Sequence, residues 1–272
     1  MSKIIFITGA SRGFGKSWAE ALLKRGDKAA ATARDTNSLN DLVKQYGDAI
    51  LPLQLDVHSR EAAFAAIQKA KAHFGRIDVV INNAGFGLQG AIEETTEEQA
   101  RKQMETNFFG LLWVSQAALP VLREQKSGHI IQVSSFLGHA TLPTLGVYTA
   151  SKFAVEGLSE TLAAEVKPFG INVSLVEPNG YATEFWGGSS YAQTEHTPLY
   201  EPLREAIKTN VKPEHFGKME ATNEALLKLI DSPNPPLRLF MGKVALPVVK
   251  QVYEQRLSLW EEWNDVAVAA HG

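Results

Sequence analysis

The chain contains no cysteine, which excludes disulfide bonds and thiolate metal sites. Its 27 lysines and arginines face 30 aspartates and glutamates, and no run of basic residues suggests contact with nucleic acid or an acidic membrane. No apolar run approaches the roughly 18 residues of a membrane span. The apolar run in the opening "MSKIIFITGA" is too short for the hydrophobic region of a signal peptide. We therefore expect a cytoplasmic protein that neither crosses a membrane nor binds nucleic acid.

The seven histidines show no His-x-x-x-His or His-Glu pairing, so the sequence predicts no metal site. His139 follows Ser135 by four residues. Two interpretations of His139 stay open: a residue that lines a pocket, or a solvated loop residue.

Short apolar runs alternate with longer amphipathic segments along the 272 residues. Seven runs read as buried strands: "KIIFITG", "KAAATAR", "AILPLQLDV", "IDVVINNAG", "GHIIQVSS", "INVSLVEP" and "LRLF". The predicted helices between them are Gly15–Arg25, Ser38–Tyr46, Arg60–Phe74, Glu97–Gln125 (one piece or two), Tyr148–Lys167 and one that begins near Pro213. This alternation predicts a single-domain α/β Rossmann fold, with a doubly wound parallel sheet of about seven strands and helices on both faces.

Two regions depart from this rhythm, although both are assigned to the same domain. Within the main body, residues 1–242, the segment 179–210 is rich in glycine, serine, threonine and aromatic residues, as expected of a substrate loop. Residues 243–272 form a helical extension with apolar residues at helical spacing. The extension packs on its own domain, contacts another subunit or covers a substrate pocket.

The turn "ITGASRGFG" follows the first strand and opens a helix. Gly9, Gly13 and Gly15 stand where a tight turn, a close approach to pyrophosphate and close helix packing would each exclude a Cβ atom. The amides and the positive dipole end of the helix favour phosphate at this place. The sequence therefore predicts a dinucleotide cofactor.

Charge at the end of the second strand bears on the choice of nucleotide. Arg34 ends that strand where NAD-binding proteins usually carry an acidic residue, and Arg12 is a second cation in the glycine turn. Two guanidinium groups suit a 2′-phosphate, so NADP(H) is favoured over NAD(H). Asp35, the next residue, remains an alternative that would bind the ribose of NAD.

Tyr148 and Lys152 stand four residues apart, which places them on one helix face. A lysine ammonium and an oxidised nicotinamide beside a tyrosine favour the phenolate and lower its pKa, as a proton donor for carbonyl reduction requires. The spacing alone is common in helices. Ser135, thirteen residues before Tyr148, adds a hydroxyl that would steady a substrate oxygen.

The motifs "TGASRGFG", "NNAG", "NFFG", "VSSFLG" and "YTASK" occur in an order and spacing that resemble the short-chain dehydrogenase/reductase family, over roughly Ile4 to Thr183. The resemblance implies that Tyr148 is the general acid or base, that Lys152 tunes it and binds the nicotinamide ribose, and that Ser135 binds the carbonyl. It also implies that Asn107 holds a water molecule in a proton relay. The cofactor-binding residues that it implies are Gly9, Ser11, Arg12, Gly13, Phe14, Gly15, Arg34, Asp56, Val57, Asn83, Ala84, Gly85, Lys152, Pro178, Tyr181 and Thr183.

One position departs from the family pattern: Asn179 replaces the usual glycine after Pro178, and asparagine tolerates left-handed backbone better than most residues. Family members are commonly dimers or tetramers, so the resemblance implies a homodimer or homotetramer. Cells typically keep NADP reduced, so the preference for NADP(H) favours carbonyl reduction as the physiological direction.

The residues predicted for the substrate pocket are apolar: Phe136, Leu137, Leu142, Leu145, Phe185 and Trp186. They suit a small hydrophobic ketone, aldehyde or secondary alcohol. A softer resemblance to the retinol and hydroxysteroid dehydrogenase branch agrees with such substrates, whereas no basic patch favours an acyl carrier protein. The alternatives are a non-catalytic NADP(H)-binding sensor or scaffold, and an isomerase or dehydratase. Neither the substrate nor its stereochemistry follows from the sequence.

Overall fold

Seven of the strands form one parallel sheet in a computed structural model that describes residues 2–181 and 191–272. They are β1 (Ile4–Ile7), β2 (Lys28–Ala33), β3 (Ile50–Gln54), β4 (Val79–Asn82), β6 (Gly128–Val133), β7 (Ile171–Pro178) and β9 (Arg238–Met241). The order β3-β2-β1-β4-β6-β7-β9 reverses direction between β1 and β4. This confirms the predicted doubly wound Rossmann fold, whose carboxyl edge at the reversal is where such sheets bind ligands.

Helices cover both faces of this sheet. They are α1 (Gly13–Arg25), α2 (Asn40–Tyr46), α3 (Arg60–Phe74), α4 (Glu97–Met104), α5 (Gly110–Gln125), α6 (Gly146–Val166), α7 (Glu201–Asn210), α8 (Ala221–Asp231), α9 (Ala245–Glu262) and α10 (Asn264–Ala269). The alternation of side chains along β1 separates two cores. Ile5 and Ile7 pack with Trp18 of α1, while Phe6 packs on the opposite face with Ile67 of α3.

Local sequence explains where several helices begin and end. Ser59 caps α3 by accepting a hydrogen bond from the Ala62 amide, and Gly75 ends that helix with a φ of 83°. The predicted helix Glu97–Gln125 is two helices, α4 and α5, joined by a π-helical turn at Glu105–Phe109. The helix expected near Pro213 is wrong: Pro213–His215 form a single 3₁₀ turn, and α8 begins only at Ala221.

A second, two-stranded parallel sheet pairs β5 (Gly87–Gln89) with β8 (Tyr191–Gln193). It joins the segment after β4 to the predicted substrate loop, which also contains α7. In the C-terminal extension, Ala245 and Val249 are buried, whereas Leu257, Trp260 and Trp263 are exposed. The first half of α9 therefore packs on the domain and the second half projects from it. No helix among the described residues combines the length and the apolar character that a membrane crossing requires.

Candidate active site

The glycine turn between β1 and α1 has the shape predicted for a phosphate cradle. Gly9 and Gly13 have φ values of 67° and 55°, in the left-handed region that favours glycine. A Cβ atom on Gly15 would lie 2.3 Å from the carbonyl oxygen of Gly9, so only glycine fits there. The helix N-cap, Arg12, makes no side-chain capping hydrogen bond, and the first turn of α1 has no acidic residue. The amides and dipole of that turn fit a pyrophosphate group.

A hydrogen-bonded clamp connects this turn to the end of β4. The Thr8 hydroxyl accepts hydrogen bonds from the amides of Asn83 and Ala84, both at 3.0 Å. The Asn83 side chain donates to the carbonyl oxygens of Thr8 and Gly9 at 2.9 and 3.1 Å. Asn83 therefore fixes the path of the glycine turn, and no sequence pattern identified that role or the part of Thr8.

A cavity of about 700 Å³ runs along the carboxyl edge of the sheet. Of the predicted site residues, Gly15 lies beneath the glycine turn, Asn107 lies outside the lining, and Thr183 lies outside the described residues. All the others line the cavity: Gly9, Ser11, Arg12, Gly13, Phe14, Arg34, Asp56, Val57, Asn83, Ala84, Gly85, Ser135, Tyr148, Lys152, Pro178 and Tyr181.

Tyr148, Lys152 and Ser135 meet inside this cavity and are all buried. The Lys152 ammonium donates to the Val133 carbonyl oxygen at 2.8 Å and lies 5.6 Å from the centre of the Tyr148 ring. Ser135 accepts a hydrogen bond from the Leu137 amide and donates to the Pro178 carbonyl oxygen. These contacts fix the Ser135 hydroxyl and the Lys152 ammonium beside the tyrosine.

Burial dominates the ionisation of these groups. It raises the pKa of Tyr148 to about 12, although a hydrogen bond with Ser135 partly opposes the rise. It also lowers the pKa of Lys152 to about 8, against the attraction of Glu156. The lowering expected for Tyr148 depends on an oxidised nicotinamide as well as on Lys152, whereas in the protein alone desolvation of the phenolate outweighs the favourable interactions. Tyr148 is thus held as the neutral phenol, the form that donates a proton.

Asn107 lies in the π-helical turn and is buried. Its side-chain oxygen accepts from the Phe86 amide at 3.1 Å, and its side-chain nitrogen donates to the Phe86 carbonyl and the Ser151 hydroxyl. The side-chain amide is thereby fixed between Phe86 and Ser151 of α6. A π-turn at such a position is typical of functional sites.

Asn179 does not have the left-handed backbone that its position suggested, since its φ is not positive. Its side-chain nitrogen instead donates to the carbonyl oxygens of Gly180 and His215 at 2.8 and 3.0 Å. Tyr181 packs edge-on against Phe14, with ring centres 5.2 Å apart. The segment after β7 is therefore anchored on both sides where it lines the cavity.

The apolar part of the cavity includes three of the predicted substrate residues, Phe136, Leu137 and Leu145. Leu142 is not part of the lining: its side chain is 40% exposed, because it lies in the loop before α6. Phe185 and Trp186 lie outside the described residues. The sequence missed four lining residues that the small β5–β8 sheet brings in, namely Phe86, Leu88, Tyr191 and Ala192.

A buried ion pair joins α7, which lies in the predicted substrate loop, to the 3₁₀ turn Ile92–Glu94. The carboxylate of Glu94, whose side chain is fully buried, accepts hydrogen bonds from Arg204 of α7 and from the Thr197 amide and hydroxyl. The Arg204 hydrogen bond is the main reason that the pKa of Glu94 falls to about 2. The hydrogen bonds from Arg204 and Thr197 therefore favour the ionised carboxylate.

Comparison with known proteins agrees with this geometry. A family model described as short chain dehydrogenase matches residues 3–193 of the chain. The chain belongs to the short-chain dehydrogenase family.

Two relatives of this short-chain dehydrogenase match nearly its whole length. Oxidoreductase BOA17 of Botryotinia fuckeliana is 38% identical, with 99% of this chain and 100% of the relative covered. A 3-ketodihydrosphingosine reductase of Bacteroides thetaiotaomicron is 36% identical, with 94% and 92% covered. The match to the Botryotinia relative therefore extends into the C-terminal extension.

Solved structures of other short-chain dehydrogenases superimpose on the chain. One from Streptomyces avermitilis has a TM-score of 0.90 at 36% identity, with 99% of this chain and 98% of that chain covered. One from Burkholderia cenocepacia J2315, in complex with NADP, has a TM-score of 0.76 at 28% identity, with 96% and 97% covered. A 3-ketoacyl-(acyl-carrier-protein) reductase from Brucella melitensis, complexed with NADH, has a TM-score of 0.74 at 25% identity, with 88% and 96% covered. Neighbours of this fold thus hold either nucleotide.

Proposed function

We propose that this short-chain dehydrogenase is an NADPH-dependent reductase of hydrophobic ketones or aldehydes, which also oxidises hydrophobic secondary alcohols. The observation that carries the proposal is the placing of Tyr148, Ser135 and Lys152 in one cavity with the glycine turn. A non-catalytic sensor would not require a buried phenol and hydroxyl beside its cofactor site.

The residues act on the two atoms of the carbonyl group. The bound nicotinamide supplies the hydride that the carbonyl carbon receives. Ser135 donates a hydrogen bond to the carbonyl oxygen, and the phenol of Tyr148 transfers its proton to that oxygen as negative charge develops there. Lys152, held by the Val133 carbonyl, places a positive charge near the phenolate that remains. Asn107 donates a hydrogen bond to Ser151 of α6, the helix that carries Tyr148 and Lys152. The backbone of Asn107 would hold water for the reprotonation of Tyr148.

The test of this function is a screen of NADPH oxidation with aldehydes, cyclic ketones, steroids and β-ketoesters. We expect turnover with apolar ketones, since Phe86, Leu88, Phe136 and Leu145 line the substrate end of the cavity. One relative is named 3-ketodihydrosphingosine reductase, a reductase of a keto compound, which supports the same reaction class. If no carbonyl compound in any of these classes is reduced with either nucleotide, the proposed function is wrong.

Preference for NADP(H) is proposed from the side chains at the end of β2. Arg34 and Arg12 line the cavity, whereas Asp35 accepts a hydrogen bond from the Asn37 amide at 3.0 Å. The Asp35 side chain thereby caps a 3₁₀ turn, Thr36–Leu39. This contact engages its carboxylate within the protein and not at a ribose site. The two arginines suit a 2′-phosphate.

Replacement of Arg34 by alanine is expected to lower the ratio of kcat/KM for NADPH to that for NADH by about tenfold or more, because a hydrogen bond to a charged group contributes roughly 1.5–3 kcal/mol. Steady-state kinetics with both nucleotides measure the ratio. The matched control is Arg101→Ala, which removes an exposed arginine paired with Glu97 on α4. A ratio that is the same in Arg34→Ala and in the control would remove Arg34 from the 2′-phosphate site.

A homodimer or homotetramer in the cytoplasm and the two-part division at residue 242 stay predictions. The exposed Leu257, Trp260 and Trp263 on the projecting half of α9 and the turn that follows it are compatible with a subunit contact.

A further inference from the structure

A cluster of ionisable side chains is buried outside the substrate and cofactor cavity. We call it the His139 cluster: His139, Glu156, Glu177 and Arg238. His139 follows the 3₁₀ turn that Ser135 caps, Glu156 lies one turn beyond Lys152 on α6, and Glu177 immediately precedes Pro178. Each of these three residues is thus close in sequence to a residue of the proposed active site.

The distances show that the cluster is tightly packed. The Nε2 atom of His139 lies 3.0 Å from a carboxylate oxygen of Glu177 and 3.5 Å from one of Glu156. Arg238 donates to Glu156 at 3.0 Å and lies 3.8 Å from Glu177. The side chain of Glu177 is fully buried, and those of His139 and Glu156 are less than a tenth exposed.

Every element packed around His139 adds a polar or charged group. The groups that face it or its partners are Glu156 and Glu160 on α6, Glu177 on β7, Arg238 on β9 and Tyr253 on α9. The Tyr253 hydroxyl lies 3.0 Å from the Nδ1 atom of His139. Glu160 and Arg238 form an ion pair at the outer edge of the cluster, where Glu160 is mostly exposed. Lys152, one turn before Glu156 on α6, also attracts that carboxylate, but its ammonium donates to the Val133 carbonyl oxygen beside Tyr148. Within the cluster itself, two buried carboxylates, Glu156 and Glu177, face one guanidinium.

An unbalanced buried charge is unfavourable, so the remaining negative charge must be neutralised. Burial raises the pKa of Glu177, which is the expected response. The donor atoms of His139, Glu156 and Glu177 lie within 4.8 Å of one another, a spacing that suits a divalent cation as well. With Arg238 already present, however, a dication would change the excess from one negative to one positive charge. A single proton makes the cluster neutral.

We propose that His139 is a positioning residue, which shares one proton with Glu177 and so holds the Ser135 turn, the end of β7 and α9 together. The inference rests on the proposed function for its kinetic consequence only. Ser135 donates to the carbonyl oxygen of Pro178, the residue after Glu177, so repulsion between Glu177 and Glu156 would shift both partners of that hydrogen bond. The shared proton prevents this repulsion.

Stability against pH tests the proton without any need for turnover. Above the ordinary histidine pKa of about 6.5, the unfolded chain holds no proton on these two side chains, whereas the folded protein still holds one, so its stability falls as the pH rises. Glu177→Gln removes the excess charge and has no proton to lose. The Tm of Glu177→Gln minus the Tm of the wild type should therefore increase as the pH rises above about 6.5. The increase should be about 3 °C per pH unit until the folded wild-type protein also loses its proton. A difference that stays constant from about pH 6 to about pH 9 overturns the proposal.

Kinetics test the positioning. His139→Gln cannot share the proton, and we expect kcat for carbonyl reduction to fall about tenfold. The double variant that combines His139→Gln with Glu177→Gln lacks the excess charge. Its kcat should lie within about threefold of the kcat of the Glu177→Gln single variant. Equal impairment in His139→Gln and the double variant would mean that His139 fills space only, and would overturn the proposal.

A metal titration separates the proton from a cation. Zn²⁺ or Mn²⁺ is added to protein that has been treated with EDTA. We expect neither metal to change the difference in Tm between the wild type and Glu177→Gln. A stabilisation by either metal that Glu177→Gln abolishes would identify a cation site and overturn the proton. If only the substrate screen fails, the proposed function is contradicted. The pH dependence of Tm and the metal titration would then still test whether His139 and Glu177 share a proton.

Discussion

Tyr148→Phe is expected to reduce the rate of carbonyl reduction by about a thousandfold while NADPH still binds, because general acid catalysis contributes roughly 10²–10⁴-fold. The substitution removes one oxygen atom and keeps the ring, which packs with Leu137 and Leu145. Burial holds the pKa of this phenol at about 12, so the wild-type side chain carries its proton at neutral pH. The variant offers no proton at the same position.

Two measurements separate chemistry from binding in this variant: steady-state kcat with the best carbonyl substrate, and NADPH affinity by fluorescence titration. Tyr46→Phe is the matched control, since Tyr46 ends α2 and is not part of the cavity lining, and its hydroxyl accepts a hydrogen bond from the side chain of the neighbouring Gln45. The control should keep full turnover. Retained turnover in Tyr148→Phe would exclude Tyr148 as the acid, and absence of turnover in the wild type with every substrate would favour a non-catalytic NADP(H)-binding protein.

The parts of the fold that the sequence predicted are those with strong local patterns. Strands buried on both faces are continuous apolar runs, which is why the seven strands of the main sheet were found. The glycine turn was found for the same reason, since left-handed backbone and close contact at Gly9 and Gly15 leave few other residue types possible. Such constraints act on neighbouring residues and therefore remain visible in the sequence.

The parts that were missed depend on contacts between distant segments. β5 and β8 have three residues each, which is too few to show the apolar–polar alternation of a strand. They also pair across about a hundred residues of chain. The helix expected at Pro213 failed because proline also suits the first position of a single 3₁₀ turn. In the His139 cluster, only the order β6-β7-β9 brings Glu177 and Arg238 together beside α6. No spacing rule identifies such a group.

Gly15→Ala is expected to weaken NADPH binding by about a hundredfold or more. The added Cβ would lie 2.3 Å from the Gly9 carbonyl oxygen and 2.5 Å from the Asn83 side-chain nitrogen. That nitrogen donates to the same carbonyl at 3.1 Å, so the methyl group would press on both partners of one hydrogen bond. Backbone atoms of the glycine turn must then move, and this turn is the part of the chain that approaches the pyrophosphate.

Binding, measured by fluorescence titration with NADPH, is the decisive quantity for this variant, because two effects on stability oppose each other. Alanine favours a helix over glycine by about 1 kcal/mol, whereas overpacking destabilises a protein by roughly 1–3 kcal/mol. Gly157→Ala is the matched control: it lies inside α6, and its Cβ would meet no atom within 4 Å. The control should keep its NADPH affinity and gain slightly in Tm. If Gly15→Ala also binds NADPH as the wild type does, the turn tolerates a displaced Gly9 carbonyl, and the cradle must be formed by the amides of α1 without the Asn83 clamp.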